Sequence, residues 1–303
     1  MTLDTTINDA HCHFFSPQFF AALARQRGRT PPQSPAELCQ ELQWDDPGTP
    51  DALGDRWMAE LDTHGVARAV LIASVPGDEV SIAEAAAHHP TRIIGFFMVD
   101  PSASDAPDRV RRAITELGLR GVCLFPAMHH VPLADERVTR LVEIVAAQMG
   151  VAVFVHCGVL SVGVRAKLGL PSRFDQRLGN PLDVSRLALT FPSVPFIVPH
   201  FGAGMFREVL MAADASTNIY LDTSSSNSWI RYTPGLTLKS VFKAALSVAG
   251  SSRLLFGTDS SFFPRGWQRG VYEMQKKIVV GAGASTADAA LIFGGNLDRM
   301  FPL

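Results

Sequence analysis

Histidine and aspartate are the side chains here whose types and spacing suit chemistry. Near the start of the chain stands Asn8-Asp9-Ala10-His11-Cys12-His13. Side chains alternate along a strand, so His11 and His13 share one face and Cys12 takes the other. Two imidazoles on one face suit a metal ion, and they equally suit a polar pair on a half-exposed strand. Further along, apolar runs end in His156, in His200 and in Asp259. Runs otherwise built from Val, Ile, Leu and Phe do not need these groups for packing. Gathered at one place, four histidines and an aspartate make a metal centre with an acid–base partner.

The elements that must position them follow from hydrophobic patterning. Eight short apolar runs are expected as strands: 7–10, 69–73, 93–99, 121–125, 151–155, 196–198, 219–221 and 253–256. They alternate with helical segments, and runs apolar on both faces belong to a parallel sheet covered by helices. This predicts an α/β chain forming one (β/α)8 barrel domain over 1–303, with catalytic groups at the C-terminal strand ends. An open doubly wound sheet is the competitor, and it lacks its Gly-rich turn after the first strand. Gly281-Ala-Gly283 is a weak match in the wrong place. Residues from about 14 to 55 break the rhythm with prolines and aromatics. They are expected as an inserted cap, helical over 17–27 and 35–42. Gly294-Gly295 is expected to stop the last helix.

Composition narrows the function. The net charge of −2 offers no basic field for nucleic acid or an anionic membrane. The N-terminus lacks a signal peptide's basic and apolar regions, and no apolar run reaches a spanning length of ~20 residues. Cys12, Cys39, Cys123 and Cys157 form no CxxC pair. They are read as reduced core thiols of a cytoplasmic protein. The expected partner is a small molecule, with a homo-oligomer open.

The quoted segments resemble the amidohydrolase superfamily, in the branch that contains aminocarboxymuconate-semialdehyde decarboxylase. The likeness runs through Asn8–His13, Asp62-Thr-His64-Gly-Val66, Val153-Phe-Val-His156, Val198-Pro-His200-Phe-Gly202 and Leu255-Phe-Gly257-Thr-Asp259. It implies that His11, His13, His156 and Asp259 ligate one divalent metal, zinc first and manganese second. It further implies that His200 is an acid–base or polarising group; Asp259, beside a metal-bound water, is expected to take its proton and return it to the leaving group. Some relatives use a second metal bridged by a lysine after strand four. The five lysines here (167, 239, 243, 276 and 277) lie elsewhere, so a mononuclear site is expected. Relatives often follow the strand-eight aspartate closely with an aromatic and Pro. Here Ser260-Ser-Phe-Phe-Pro264-Arg-Gly-Trp267 follows instead.

Metal-assisted hydrolysis of an ester, lactone or amide carrying a carboxylate is the leading expectation. Non-oxidative decarboxylation is the alternative, and a silent binding barrel the remote one. Arg265, Trp267, Arg231 and Tyr232 are the expected substrate contacts, since a guanidinium pairs with a carboxylate. Arg165 and Arg173 are secondary candidates. Asp222 is read as supporting the site or capping its loop. His129-His130 are read as a solvated loop, with the mouth within reach as the alternative.

Overall fold

The computed structural model describes residues 5–225 and 227–303. Eight parallel strands follow one another in chain order. They are β1 (Ile7–Phe14), β2 (Val66–Ala73), β3 (Ile93–Met98), β4 (Gly121–Leu124), β5 (Ala152–Val155), β6 (Phe196–Val198), β7 (Ile219–Asp222) and β8 (Leu254–Leu255). Helices alternate with them to give the nearly closed (β/α)8 barrel that the patterning predicts. Backbone bonds bridge the seam between first and last strands: Ala10 N–H to Phe256 O (2.8 Å), Asp259 N–H to His11 O (2.8 Å) and His13 N–H to Ser260 O (2.7 Å).

Side chains fill the barrel axis. Val70, Ile72, Phe96, Met98, Phe154 and Ile197 form an inner core, and a larger outer core lies between strands and helices. The outer layer includes Leu71, Phe97, Val153 and Val198, alternating with the inner set along each strand.

β1 departs from simple alternation and runs to Phe14, beyond the Ala10 expected. Asp9 pairs with Ala69 and Cys12 with Leu71, so β1 takes three steps where β2 takes two. The extra residue is a bulge. Its effect is that Ala10 belongs to the inner core, while the His11 ring stands edge-on to inner Phe154 at 5.1 Å. Asp9 is buried beside the outer layer. There its carboxylate accepts from Trp267 Nε1 (2.7 Å), Thr258 Oγ1 (2.5 Å), Thr258 N (3.1 Å) and His11 N (2.9 Å). Burial raises the Asp9 pKa despite these donors.

Between β1 and β2 lie α1 (Pro17–Arg27), α2 (Pro35–Leu42) and α3 (Pro50–His64). Ser16, Ser34 and Thr49 cap their N-termini and each is followed by Pro, the residue whose missing N–H is harmless at the first helical position. The first two helices occupy the bounds predicted for them. The third begins inside the expected 14–55 segment and belongs to the barrel's outer layer through Leu53, Trp57 and Leu61. Phe19, Phe20, Leu23, Leu38 and Trp44 form a separate small core with Val164 and Leu168, which follow β5. The chain after β1 and the chain after β5 thus meet.

One predicted boundary is corrected. Gly294-Gly295 does not stop the last helix. Residues Leu291–Gly295 widen into a π turn and the chain continues helically over Asn296–Met300. A Cβ on Gly294 would stand 2.4 Å from the Thr6 carbonyl, so this glycine admits the start of β1 rather than ending a helix.

Candidate metal centre

Five side chains from the ends of four strands, β1, β5, β6 and β8, converge at the C-terminal side of the barrel. The ligand atoms of His11, His13 and Asp259 all lie within 4.8 Å of one another. His13 Nε2 is 3.0 Å and His11 Nε2 3.7 Å from Asp259 Oδ1. His200 stands 5.1 Å from His11, ring centre to ring centre, and His156 5.4 Å from His200. His156 is stacked on Phe125 and lies outside the three-ligand group.

The backbone sets these positions. The seam bond from Asp259 N–H to His11 O places the aspartate across from the β1 histidines. Asp259 and His200 both occupy the left-handed region, at φ 59° and 55°. That conformation is uncommon for residues with a Cβ and recurs at functional sites. Gly257 allows the closure. A Cβ there would meet His11 Cβ and Asp222 Oδ1 at 2.8 Å.

A ring of partners fixes three of the imidazoles, those of His11, His13 and His200. His11 Nδ1 lies 2.6 Å from Asp222 Oδ2 and 3.0 Å from Ser224 Oγ. Ser224 Oγ is also 2.9 Å from His200 Nδ1, and Ser74 Oγ is 2.7 Å from His13 Nδ1. With Nδ1 engaged on His11, His13 and His200, Nε2 is the nitrogen left for a ligand or a reacting proton. Outer partners of this kind set tautomer and orientation at metal sites. Asp222 was readable from its place at a strand end. Ser224 and Ser74 were not singled out. The Asp-x-Ser spacing was the available signal for Ser224, whose N–H closes a turn onto Asp222 Oδ1 at 2.7 Å.

Electrostatics suit a cation. Burial works to raise the Asp259 carboxyl, but the His13 hydrogen bond and the charges of the surrounding imidazoles outweigh it and hold it below the usual range. Burial lowers His13 and His200, and lowers His156 strongly with help from its histidine neighbours. Burial also opposes charge on His11, yet the Asp222 carboxylate outweighs it and raises that pKa. The result is an ionised carboxylate beside His13, His156 and His200, which favour neutrality as metal ligands must, while Asp222 favours a proton on His11. His156 Nδ1 is buried without a protein partner. The residues therefore fit a single divalent ion.

The expected substrate contacts are placed unevenly. Arg265 Nη2 reaches the Asp259 carbonyl (3.3 Å) and Ser261 Oγ (2.7 Å), with its guanidinium 4.6 Å from the Phe262 ring centre. Trp267 is corrected. Its ring is buried against Phe256 and Tyr272 in the outer layer, and its N–H is bound to Asp9, so it braces β1 rather than lining a pocket. Arg231 lies over the Tyr232 ring at 5.3 Å, and both are exposed beyond β7.

A cavity of about 500 Å³ lies instead between α1 and the chain following β4 and β5. Ser74, the partner of His13, lines it with Met98 of the inner core. Arg165, Arg173, His129 and His130 line its polar side. None of Arg265, Trp267, Arg231 and Tyr232 does. The solvated-loop reading holds for His130, which is exposed, while His129 is half-buried and both line the cavity, as the alternative reading allowed.

The fold is a (β/α)8 barrel with a histidine–aspartate cluster at the C-terminal ends of its strands, and comparison with known proteins gives the family. The amidohydrolase family model matches residues 8–303, so the chain belongs to the amidohydrolase family. No curated protein sequence matches it. Among solved structures, a 5-carboxyvanillate decarboxylase from Novosphingobium aromaticivorans, complexed with manganese and 4-hydroxy-3-methoxy-5-nitrobenzoic acid, is similar at TM-score 0.68. It shares 16% identity over 99% of this chain and 97% of its own. A probable 2-pyrone-4,6-dicarboxylic acid hydrolase from Acinetobacter baumannii with citric acid bound gives TM-score 0.61, at 15% identity over 98% and 100% of the two chains. An amidohydrolase from Burkholderia multivorans with bound zinc gives 0.63, at 16% identity over 98% and 99%. At these identities the likeness is one of fold.

Proposed function

We propose that the protein is a mononuclear metal-dependent hydrolase of a small carboxylated ester, lactone or amide. The observation that carries this is the grouping of His11 Nε2, His13 Nε2 and the Asp259 carboxylate, with each imidazole locked through Nδ1. His11, His13 and Asp259 would hold one divalent ion, zinc or manganese, with His156 as the fourth ligand. When bound, such an ion polarises a substrate oxygen and lowers the pKa of a water from about 15.7 to roughly 7. Asp259 is ionised and so takes the proton of the attacking water, then returns it to the leaving group. Positioned proton transfer of this kind contributes about 10²–10⁴-fold. His200, held by Ser224, presents Nε2 to the developing oxyanion. The segment containing α1 and α2 acts as a cap that shields the mouth from water.

Non-oxidative decarboxylation is the second reading, favoured by the cavity walls. Phe19, Phe174, Met98 and Met128 line the cavity with apolar surface suited to an aromatic ring. In that case Asp259 or His200 protonates the carbon that loses CO2. Incubating metal-loaded protein with aromatic acids and lactones separates the two: acid formation on ring opening without CO2 supports hydrolysis, and CO2 release supports decarboxylation. Asp259→Asn is expected to lower kcat by about 10³-fold or more with the fold intact. Unchanged kcat removes Asp259 from the chemistry.

A further inference from the structure

The cavity under α1 holds hydrogen-bond donors that the protein leaves unanswered. Arg165 donates one terminal nitrogen to Gln26 Oε1 of α1 and the other to the Pro171 carbonyl at 2.7 Å. Its Nε is buried with no partner. His129 Nδ1 is also buried with no partner. His130 Nε2 is bound to the Arg173 carbonyl at 2.5 Å, which fixes the Arg173 backbone. Among the described residues nothing pairs with the Arg173 guanidinium. Nor is any described residue lining the cavity acidic, while two arginines and two histidines do line it. Apart from Gln26 and Ser74 the remaining wall is apolar, and it includes Phe19, Leu23, Val75, Val162 and Phe174.

Buried donors without acceptors are costly, and a carboxylate answers several at once. We propose that this cavity is a second anion subsite, in which Arg173 is the specificity-determining residue. It reads a carboxylate at the far end of an apolar, planar substrate, with the Arg165 Nε–H behind it. The preferred substrates are then dicarboxylic acids or carboxylated esters and lactones, whose reacting end lies toward Ser74 and His13. This rests on the proposed function only for which end reacts. Arg165 has a second role, since its bonds to Gln26 and Pro171 hold α1 against the chain following β5. Arg173 is exposed and makes no such tie, so it is the residue to substitute.

Calorimetric titration of metal-loaded protein with benzoate and with benzene-1,3-dicarboxylate tests the assignment. The wild type is expected to bind the dicarboxylate about tenfold tighter or more. Arg173→Gln should bring the two affinities within about threefold by weakening the dicarboxylate alone, with Tm unchanged. Arg173→Lys should retain an intermediate preference, because an ammonium supplies charge without the planar fork. Equal affinities in the wild type, or equal weakening of both acids by Arg173→Gln, overturns the proposal. The readout is a binding ratio, not turnover. Discrimination lost on Arg173→Gln in a protein that turns over nothing upholds the subsite and counts against the hydrolase. Turnover with a ratio indifferent to Arg173 counts against the subsite alone.

Discussion

The carboxylate of Asp222 decides how His11 can serve. It holds Nδ1 at 2.6 Å in a fully buried setting and raises the imidazole's pKa against the pull of burial. Asp222→Asn keeps an acceptor but loses the charge. It is expected to lower metal affinity about 10–100-fold while leaving circular dichroism unchanged. Competition with a chelating dye measures this, and an unchanged affinity removes Asp222 from the site. The histidines and Asp259 were legible because each closes an apolar run where a polar side chain has no packing reason. Ser224 and Ser74 were not, since a serine in a loop carries no such contrast. Trp267 misled for a related reason: proximity in sequence to Asp259 says nothing about which side of β8 the loop turns to.

At the scale of elements, the bulge in β1 and the seam with β8 place the donors. Gly257 is the tight point. Gly257→Ala drives a methyl into His11 and Asp222, and is expected to destabilise the protein by about 1–3 kcal/mol and to reduce metal content. Denaturant melts and elemental analysis read the two effects, and a variant that keeps both contradicts this packing. The segment after β1 is tied down by Ser16, which caps α1 and donates to Asp78 Oδ2 at 2.6 Å. Burial lifts Asp78 to about 6. The folded state then binds more protons than the unfolded one between pH 4 and 6, so Asp78's contribution to stability falls as pH rises through that window and is level above it. Asp78→Asn should remove this dependence and add on the order of 2–3 kcal/mol at pH 7. Unfolding in urea at pH 4.5 and 7 checks it, and the same pH slope in the variant contradicts it. The bulge itself escaped the sequence reading, because alternation counts give no sign of an extra residue.

For the whole molecule, the eightfold alternation of apolar runs and helices was legible because burial on both faces leaves a continuous apolar signature. No helix among the described residues is long and apolar enough to cross a membrane. The cavity was the least legible part. Its polar side comes from turns after β4 and β5, and its apolar side from α1 and Phe174, pieces with no common period. Only their meeting across the mouth, through Val164 and Leu168 against the α1–α2 core, brings them together.

The most direct test of the account is the metal content of the purified chain after loading with zinc or manganese, compared with His11→Ala and His13→Ala. The account predicts about one divalent ion per wild-type chain and a marked loss in both variants. Less than about a tenth of an ion per wild-type chain, or full occupancy in the two variants, contradicts it.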